Sequence, residues 1–430
     1  MTRKKKKIQP QRALVKHDSK TYLDKTYATV RKILQAYGFA PDLLDSFTKQ
    51  QRRFLMLLEA EPPRFKVEEG HRVPRRLLDF VAESTHHFMR THYIGDKRLG
   101  LTYLELATFG MAFSMILCEY SRRIFPPEQM RIIDALAEFF DNNRILNELT
   151  ALGKHIRMTV MMISKVNFRI YGYSWKIYSE YEGNRSVIKS TVYISSEEPK
   201  FIRFTHKQKE RKAFRVRAGR VIDAPPYDAV IDRWFIFHRE ESPSVYLDIY
   251  IQSHALQRTK ERMDIFPAHK RNYYIMEPLL YMHCIEKSPS GRSMLTCYTS
   301  NSNTHVRLGY FPFIIQGRKL IVLTFLPLIS AETPEGEFLG RTLGLQTDDM
   351  IFLGMDKLSF FCTVDFEQIP VLKEALIAAN VWNLVEYATS HPDVTFTVDQ
   401  KKTLMVKKFF EQKIDIDSRA SDIDETDILM

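Results

Sequence analysis

Asn167-Phe168-Arg169-Ile170-Tyr171-Gly172-Tyr173-Ser174-Trp175-Lys176-Ile177-Tyr178-Ser179-Glu180-Tyr181 is followed by Glu182-Gly183-Asn184 and then by Val187–Ser195. In the first run Phe168, Ile170, Tyr173, Trp175, Ile177 and Tyr178 interleave with polar residues, the two-residue alternation of a strand with one buried face. Glu182-Gly183-Asn184 offers turn chemistry, and the alternation resumes from Val187. The stretch predicts a β-hairpin. It also marks a change of period near residue 163.

Before that point apolar residues recur every three or four positions: Leu23, Tyr27, Val30 and Leu34, then Leu43, Leu44, Phe47, Phe54, Leu55 and Leu58, separated by Gly38–Pro41. Further helical segments are predicted near 74–93, 102–123, 127–141 and 145–160. After it, strand-like runs occupy Phe201–Phe204, Phe214–Val221, Trp234–Phe237 and Val245–Ile251. Beyond one interposed helix they resume at Met276–Ile285, Met294–Tyr298, Val306–Ile315, Leu320–Leu326 and Ile351–Thr363. Two helices near 367–388 and 398–412 follow. The order predicts an α+β protein: a basic arm (1–17), an all-helical domain (18–162), a mainly antiparallel sheet domain with an inserted helix (163–365), C-terminal helices (366–412) and an acidic tail (413–430).

Hydrophobic residues make up 44% of the 430, which excludes a disordered or low-complexity chain. Residues 1–16 carry seven Lys or Arg and no acid, including the run Lys4–Lys7. Residues 414–430 carry six acids and Arg419. Formal charge is +11, so polyanions are the favoured partners and RNA is expected ahead of DNA. The longest uncharged apolar stretch, Leu106–Cys118, is too short to span a bilayer, so no membrane association is expected. Cys118, Cys284, Cys297 and Cys362 form no C-x-x-C pair, and no apolar segment follows the N-terminal basic run. A reducing, cytoplasmic setting is expected. No phosphate-loop, dinucleotide or nucleophile-elbow motif occurs, and His86, His87 and His92 lack partners at metal-ligand spacing, so no cofactor or metal is expected. The helical domain is the expected place for a protein partner.

The most pointed chemistry follows the strand Val245–Ile251. The sequence there reads Ser253-His254-Ala255-Leu256-Gln257-Arg258-Thr259-Lys260-Glu261-Arg262, with Ser253 a credible N-cap. His254, Arg258 and Arg262 are spaced i, i+4 and i+8, within about 80° of arc on one helix face. An imidazole in the first turn is held neutral by the helix dipole and can accept a proton. Two guanidiniums can grip a phosphate and stabilise charge on it. A base beside fixed cations is what metal-independent RNA cleavage requires. Glu261, three residues from Arg258, equally offers a plain surface ion pair.

This ten-residue stretch resembles the His-Ala-x-x-Arg-x-x-x-Arg helix of small toxin-like ribonuclease domains with the barnase/EndoU/RelE-like fold. The resemblance implies that His254, Arg258 and Arg262 are active-site residues, and that Arg307–Ile315 and Lys319–Pro327 form a hairpin packed on the helix. About forty residues separate helix and hairpin, more than those compact domains have.

A second feature is the basic stripe Lys207, Lys209, Arg211, Lys212, Arg215, Arg217 and Arg220, opposed only by Glu210, with Phe214 interleaved. Cations at this density suit a phosphate backbone, and an aromatic among them can stack on a base. Two readings therefore stand: a metal-independent RNA-cleaving, toxin-like domain, or a non-enzymatic nucleic-acid- or protein-binding accessory protein of a mobile element or phage.

Overall fold

The computed structural model describes residues 20–51, 59–110, 130–131, 134, 144–182, 185–216, 229–231, 245–281, 284–299, 306–390 and 396–426. The chain is α+β, and it divides into two compact units. One comprises Met1–Glu68, Val73–Arg157 and Ser174–Ile194. The other comprises Glu69–Arg72, Met158–Tyr173 and Ser195–Met430.

In the first unit, α1 (Lys20–Ala36) buries Val30, Ile33 and Leu34, and α2 (Arg75–Thr91) buries Leu78, Val81 and Met89, the stripes their spacing dictates. Two short strands, β1 (Glu59–Ala60) and β2 (Arg64–Val67), were not anticipated by the helical reading. Of the helix expected over 41–60, the described residues show a 3-10 turn at Leu43–Ser46, helical residues at 49–51 and strand at 59–60; residues 52–58 lie outside the described residues. The long helix α3 (Arg144–Ile163) runs from the first unit into the second, so a boundary at 162/163 falls inside it. The expected hairpin is present as β3 (Ile170–Glu182) and β4 (Arg185–Glu197), and β4 also pairs in parallel with β1 and β2. The hairpin tip and most of the segments expected as helices over 102–141 lie outside the described residues.

The second unit is built on a nine-stranded sheet that also contains β7 (Ala229–Ile231), paired with β8 (Val245–Gln252). Its main path runs through β5 (Phe201–His206), β6 (Lys209–Arg215), β8, β12 (Lys319–Val322), β11 (Arg307–Gln316), β10 (Ser293–Tyr298) and β9 (Ile285–Lys287), and β13 (Leu326–Pro327) adds to β11. All its pairings are antiparallel except β8 with β12. Alternation along β8 sends Leu247, Ile249 and Ile251 into the main core. Tyr250 faces the other way, against Phe204, Ala213 and Ile321.

Two expected strands are helical. Met276–Tyr281 closes α5 (Ala268–Tyr281), in which Tyr273, Tyr274, Ile275, Met276, Leu279 and Leu280 are all buried, with Pro278 inside. Part of Ile351–Thr363 closes α7 (Thr347–Phe352), and another part is the turn Phe360–Thr363. The run 276–281, buried on nearly every side, has no period by which to distinguish helix from strand, whereas Ile351 and Phe352 are apolar residues exposed on α7. The C-terminal helices α6 (Pro334–Thr342), α8 (Pro370–Ala378), α9 (Trp382–Ser390) and α10 (Gln400–Thr426) share one core with the sheet: Leu339, Leu372, Leu384 and Val406 cluster with Ile249, Leu295 and Phe311. They are therefore part of the sheet unit. The segment expected as a separate acidic tail continues α10 as far as Thr426. Among the described residues no helix is long and apolar enough to cross a membrane.

Candidate functional site

β8 ends at Gln252, and the chain turns directly into α4 (Ser253–Arg262). The N-cap is Gln252, not Ser253. The Ser253 hydroxyl, one residue into the helix, instead donates to the Lys212 carbonyl of β6 at 3.4 Å. Ala255 and Thr259 are buried beneath the helix, and the Thr259 hydroxyl donates to the Ala255 carbonyl. That apolar stripe fixes the helix's rotation and so decides which cations reach solvent.

His254 is exposed in the first turn. Arg258 is half-buried, its Nη1 3.0 Å from Glu261 Oε2, an ion pair open to water on both sides. Arg262 behaves differently. Its Nη1 donates to the Phe325 carbonyl at 2.6 Å, its Nε lies 3.7 Å from Asp356 Oδ2, and its side chain is 14% exposed. The Leu358 backbone N–H donates to the Arg262 carbonyl as well. Each i+4 step advances about 40° round the helix, so the His254–Arg258–Arg262 line drifts toward the buried Ala255–Thr259 stripe. Arg262 lies where that line goes under, and it braces α4 to the loop after β12. Of the three expected active-site residues, two face solvent and the third is tied into the scaffold.

The basic stripe is divided by strand alternation. The β5–β6 turn places Lys207 and Gln208 at φ 48° and 63°, the left-handed pair of a two-residue hairpin turn, so Lys207 stands at its tip. On β6, Lys209, Arg211, Ala213 and Arg215 share one face; Lys212 and Phe214 share the other. Arg215 is ion-paired with Asp248. Phe214 belongs to the main core, so it cannot offer a face to a base. Exposed Phe201 lies directly across from Phe214, with the Lys212 ammonium 4.1 Å from its ring centre. Arg217 and Arg220 lie outside the described residues.

Arg211 joins the two features. The Ala213–Gln252 pairing brings it beside the end of β8, where its Nη1 donates to Gln252 Oε1 at 3.4 Å. His254 is held below the ordinary imidazole value, first by partial burial, then by the Arg258 and Arg211 cations; Glu261 opposes. The neutral form of the imidazole is thus favoured beside two guanidiniums, one from the helix and one from the strand. Phe201, Gln252 and the approach of Arg211 were not found from sequence, because each depends on strand register.

A second cluster also escaped sequence reading. On β11, the Arg307 Nη1 donates at 2.7 Å both to Glu335 Oε1 and to the Tyr310 hydroxyl, and Nη2 lies 3.3 Å from Glu286 Oε1. Tyr310 donates to Glu335, and Thr296 to Glu286. Burial would lower Arg307, but Tyr310, Glu286 and Glu335 outweigh it and push the guanidinium up. These polar groups are satisfied by one another, which makes the cluster a clamp between β9, β11 and α6. Among the described residues no three of His, Cys, Asp and Glu are placed to hold a metal ion.

No protein-family model, no curated protein and no solved structure matches this chain.

Proposed function

We propose that this protein binds RNA through the surface formed by the β5–β6 hairpin and the first turns of α4. The observation that carries it is the convergence of Arg211 from β6 and Arg258 from α4 on the exposed His254. Two guanidiniums at one edge grip phosphate oxygens, and Lys209, on the Arg211 face of β6, extends the positive surface toward Lys207 at the hairpin tip; Lys212 and Phe201 lie on the opposite face and take no part. Arg262 holds α4 in place and does not touch the ligand. Arg215, neutralised by Asp248, adds little.

One feature favours a catalytic extension: His254 stands exposed in the first turn of α4, and burial with the Arg258 and Arg211 cations lowers its pKa, which favours the proton-accepting form. A bound 2′-hydroxyl can give it a proton as the 2′ oxygen attacks phosphorus. Arg211 and Arg258 stabilise the added charge, and the departing 5′ oxygen takes its proton from water. The resemblance of the α4 sequence to toxin-like ribonucleases supports the same step. A non-enzymatic accessory protein uses the same surface without it.

The test is anisotropy with a labelled single-stranded RNA across a salt series, with product analysis on the same samples. Binding by the wild-type chain should weaken as salt rises, and Arg211→Gln with Arg258→Gln should reduce the slope of log K against log salt by about 1.4, near 0.7 per lost phosphate contact on single strands. An unchanged slope would end the binding proposal. Product formed by the wild type and not by His254→Ala would establish cleavage; equal product from both would remove His254 from it.

A further inference from the structure

A cavity of about 330 Å³ opens beside α4, about 130° round the helix from the His254–Arg258 edge. It is walled by α4, α5 and the segment after α3, all within the second unit. Lys165, Lys260 and Arg271 bring three cations to it, and no acidic side chain is among its lining residues. The Lys165 and Lys260 side chains have no partner among the described residues. Arg271 gives Nη1 to the Phe266 carbonyl, which fixes the guanidinium and leaves its other nitrogens available. The nearby carboxylates are engaged elsewhere: Glu261 by Gln257 and Arg258, Asp264 by the Ser359 N–H.

The rest of the lining has a different character. Leu256 and Ile275 give an apolar wall. Asn272 uses its amide nitrogen on the Met162 carbonyl at 3.1 Å, and Gln257 uses its own on Glu261 at 2.7 Å. Each therefore keeps a carbonyl oxygen that can still accept. Three cations, two carbonyl acceptors and an apolar wall lining one cavity match a molecule that carries both a phosphate and a flat, amino-bearing ring. The volume falls at the lower end of the range for small-ligand sites.

We infer that this cavity binds a nucleoside monophosphate, with Lys165, Lys260 and Arg271 on the phosphate and Asn272 and Gln257 accepting from the amino group of the base. The inference does not rest on the RNA-binding proposal, since Arg211, His254 and Arg258 are not among the lining residues.

Calorimetric titration of the full chain with AMP, GMP and CMP, with adenosine and inorganic phosphate as controls, tests it. At least one monophosphate should bind more tightly than both controls. Lys165→Gln with Lys260→Gln, both at exposed positions, should weaken it by about tenfold or more. The double variant should keep the wild-type thermal midpoint. Its RNA affinity reports separately on the Arg211–Arg258 surface, so failure of one proposal is distinguishable from failure of the other. No monophosphate binding at millimolar concentration would overturn the inference. So would inorganic phosphate binding as tightly as any nucleotide, or a double variant that binds like the wild type.

Discussion

At the scale of the residue, a few tens of degrees of helix rotation separate functional from structural roles. His254 and Arg258 stay in solvent, while Arg262, on the same line, is carried under the helix and spends its guanidinium on Phe325 and Asp356. The charges round His254 have signs that a titration can read. Burial, Arg258 and Arg211 hold its pKa below the ordinary value near 6.5, and Glu261 pulls the other way. Arg258→Gln removes a cation that opposes protonation, so the imidazole should titrate at higher pH than in the wild type. Glu261→Gln removes an anion that favours protonation, so it should titrate lower. Because the native pKa is depressed, the neutral ring's contribution to stability is present above about pH 6.5 and is lost as the pH falls through the native value. Histidine ring resonances followed by NMR across the acid range check both directions. Shifts of the same sign in the two variants would show that the charges do not act on His254 through space.

At the scale of the element, the clamp at Arg307 tests how buried charge is accommodated. Glu335 is 10% exposed and Glu286 and Tyr310 close over the same guanidinium, so removing the cation leaves two carboxylates facing one another in a poorly hydrated place. Arg307→Met should cost about 3 kcal/mol, whereas Tyr310→Phe, which removes one hydroxyl and leaves the ion pairs, should cost about 1 kcal/mol. Urea unfolding should show both as a lowered midpoint with unchanged slope. Comparable costs in the two variants would show that the ion pairs are worth no more than one hydroxyl. The clamp could not be read from sequence, because Glu286, Arg307 and Glu335 meet only through the pairing of β9, β10 and β11. By contrast α1 and α2 were legible, each having one buried face and therefore a period, whereas β10 and β11, buried on both faces, were legible only as short apolar runs. Residues 276–281 were not, because α5 is buried on both sides. At the candidate site the helix with His254 and Arg258 was visible as an i, i+4 spacing. Arg211 came into range only through the register that sets Ala213 against Gln252.

At the scale of the whole molecule, the chain crosses between its two units repeatedly, and the sheet unit takes part of its core from before the hairpin. Met161, Val166 and Ile170 lie in the same cluster as Ile249, Leu295 and Phe311, and Asn272 donates to the Met162 carbonyl. A fragment beginning at Ser195 would contain every strand of the nine-stranded sheet and none of those three side chains. Each is worth about 1.5–3 kcal/mol on burial, so their joint loss approaches the whole stability of an ordinary domain. The fragment Met158–Met430 keeps them, at the expense of carrying the hairpin residues 174–194 along. It should therefore unfold cooperatively in a thermal circular-dichroism scan, and the fragment Ser195–Met430 should show no cooperative transition. Since His254, Arg258 and Arg211 all belong to the sheet unit, the longer fragment should also retain the salt-dependent RNA affinity of the full chain. Cooperative unfolding of the shorter fragment at the same temperature would mean that Met161, Val166 and Ile170 only cover the core and do not complete it.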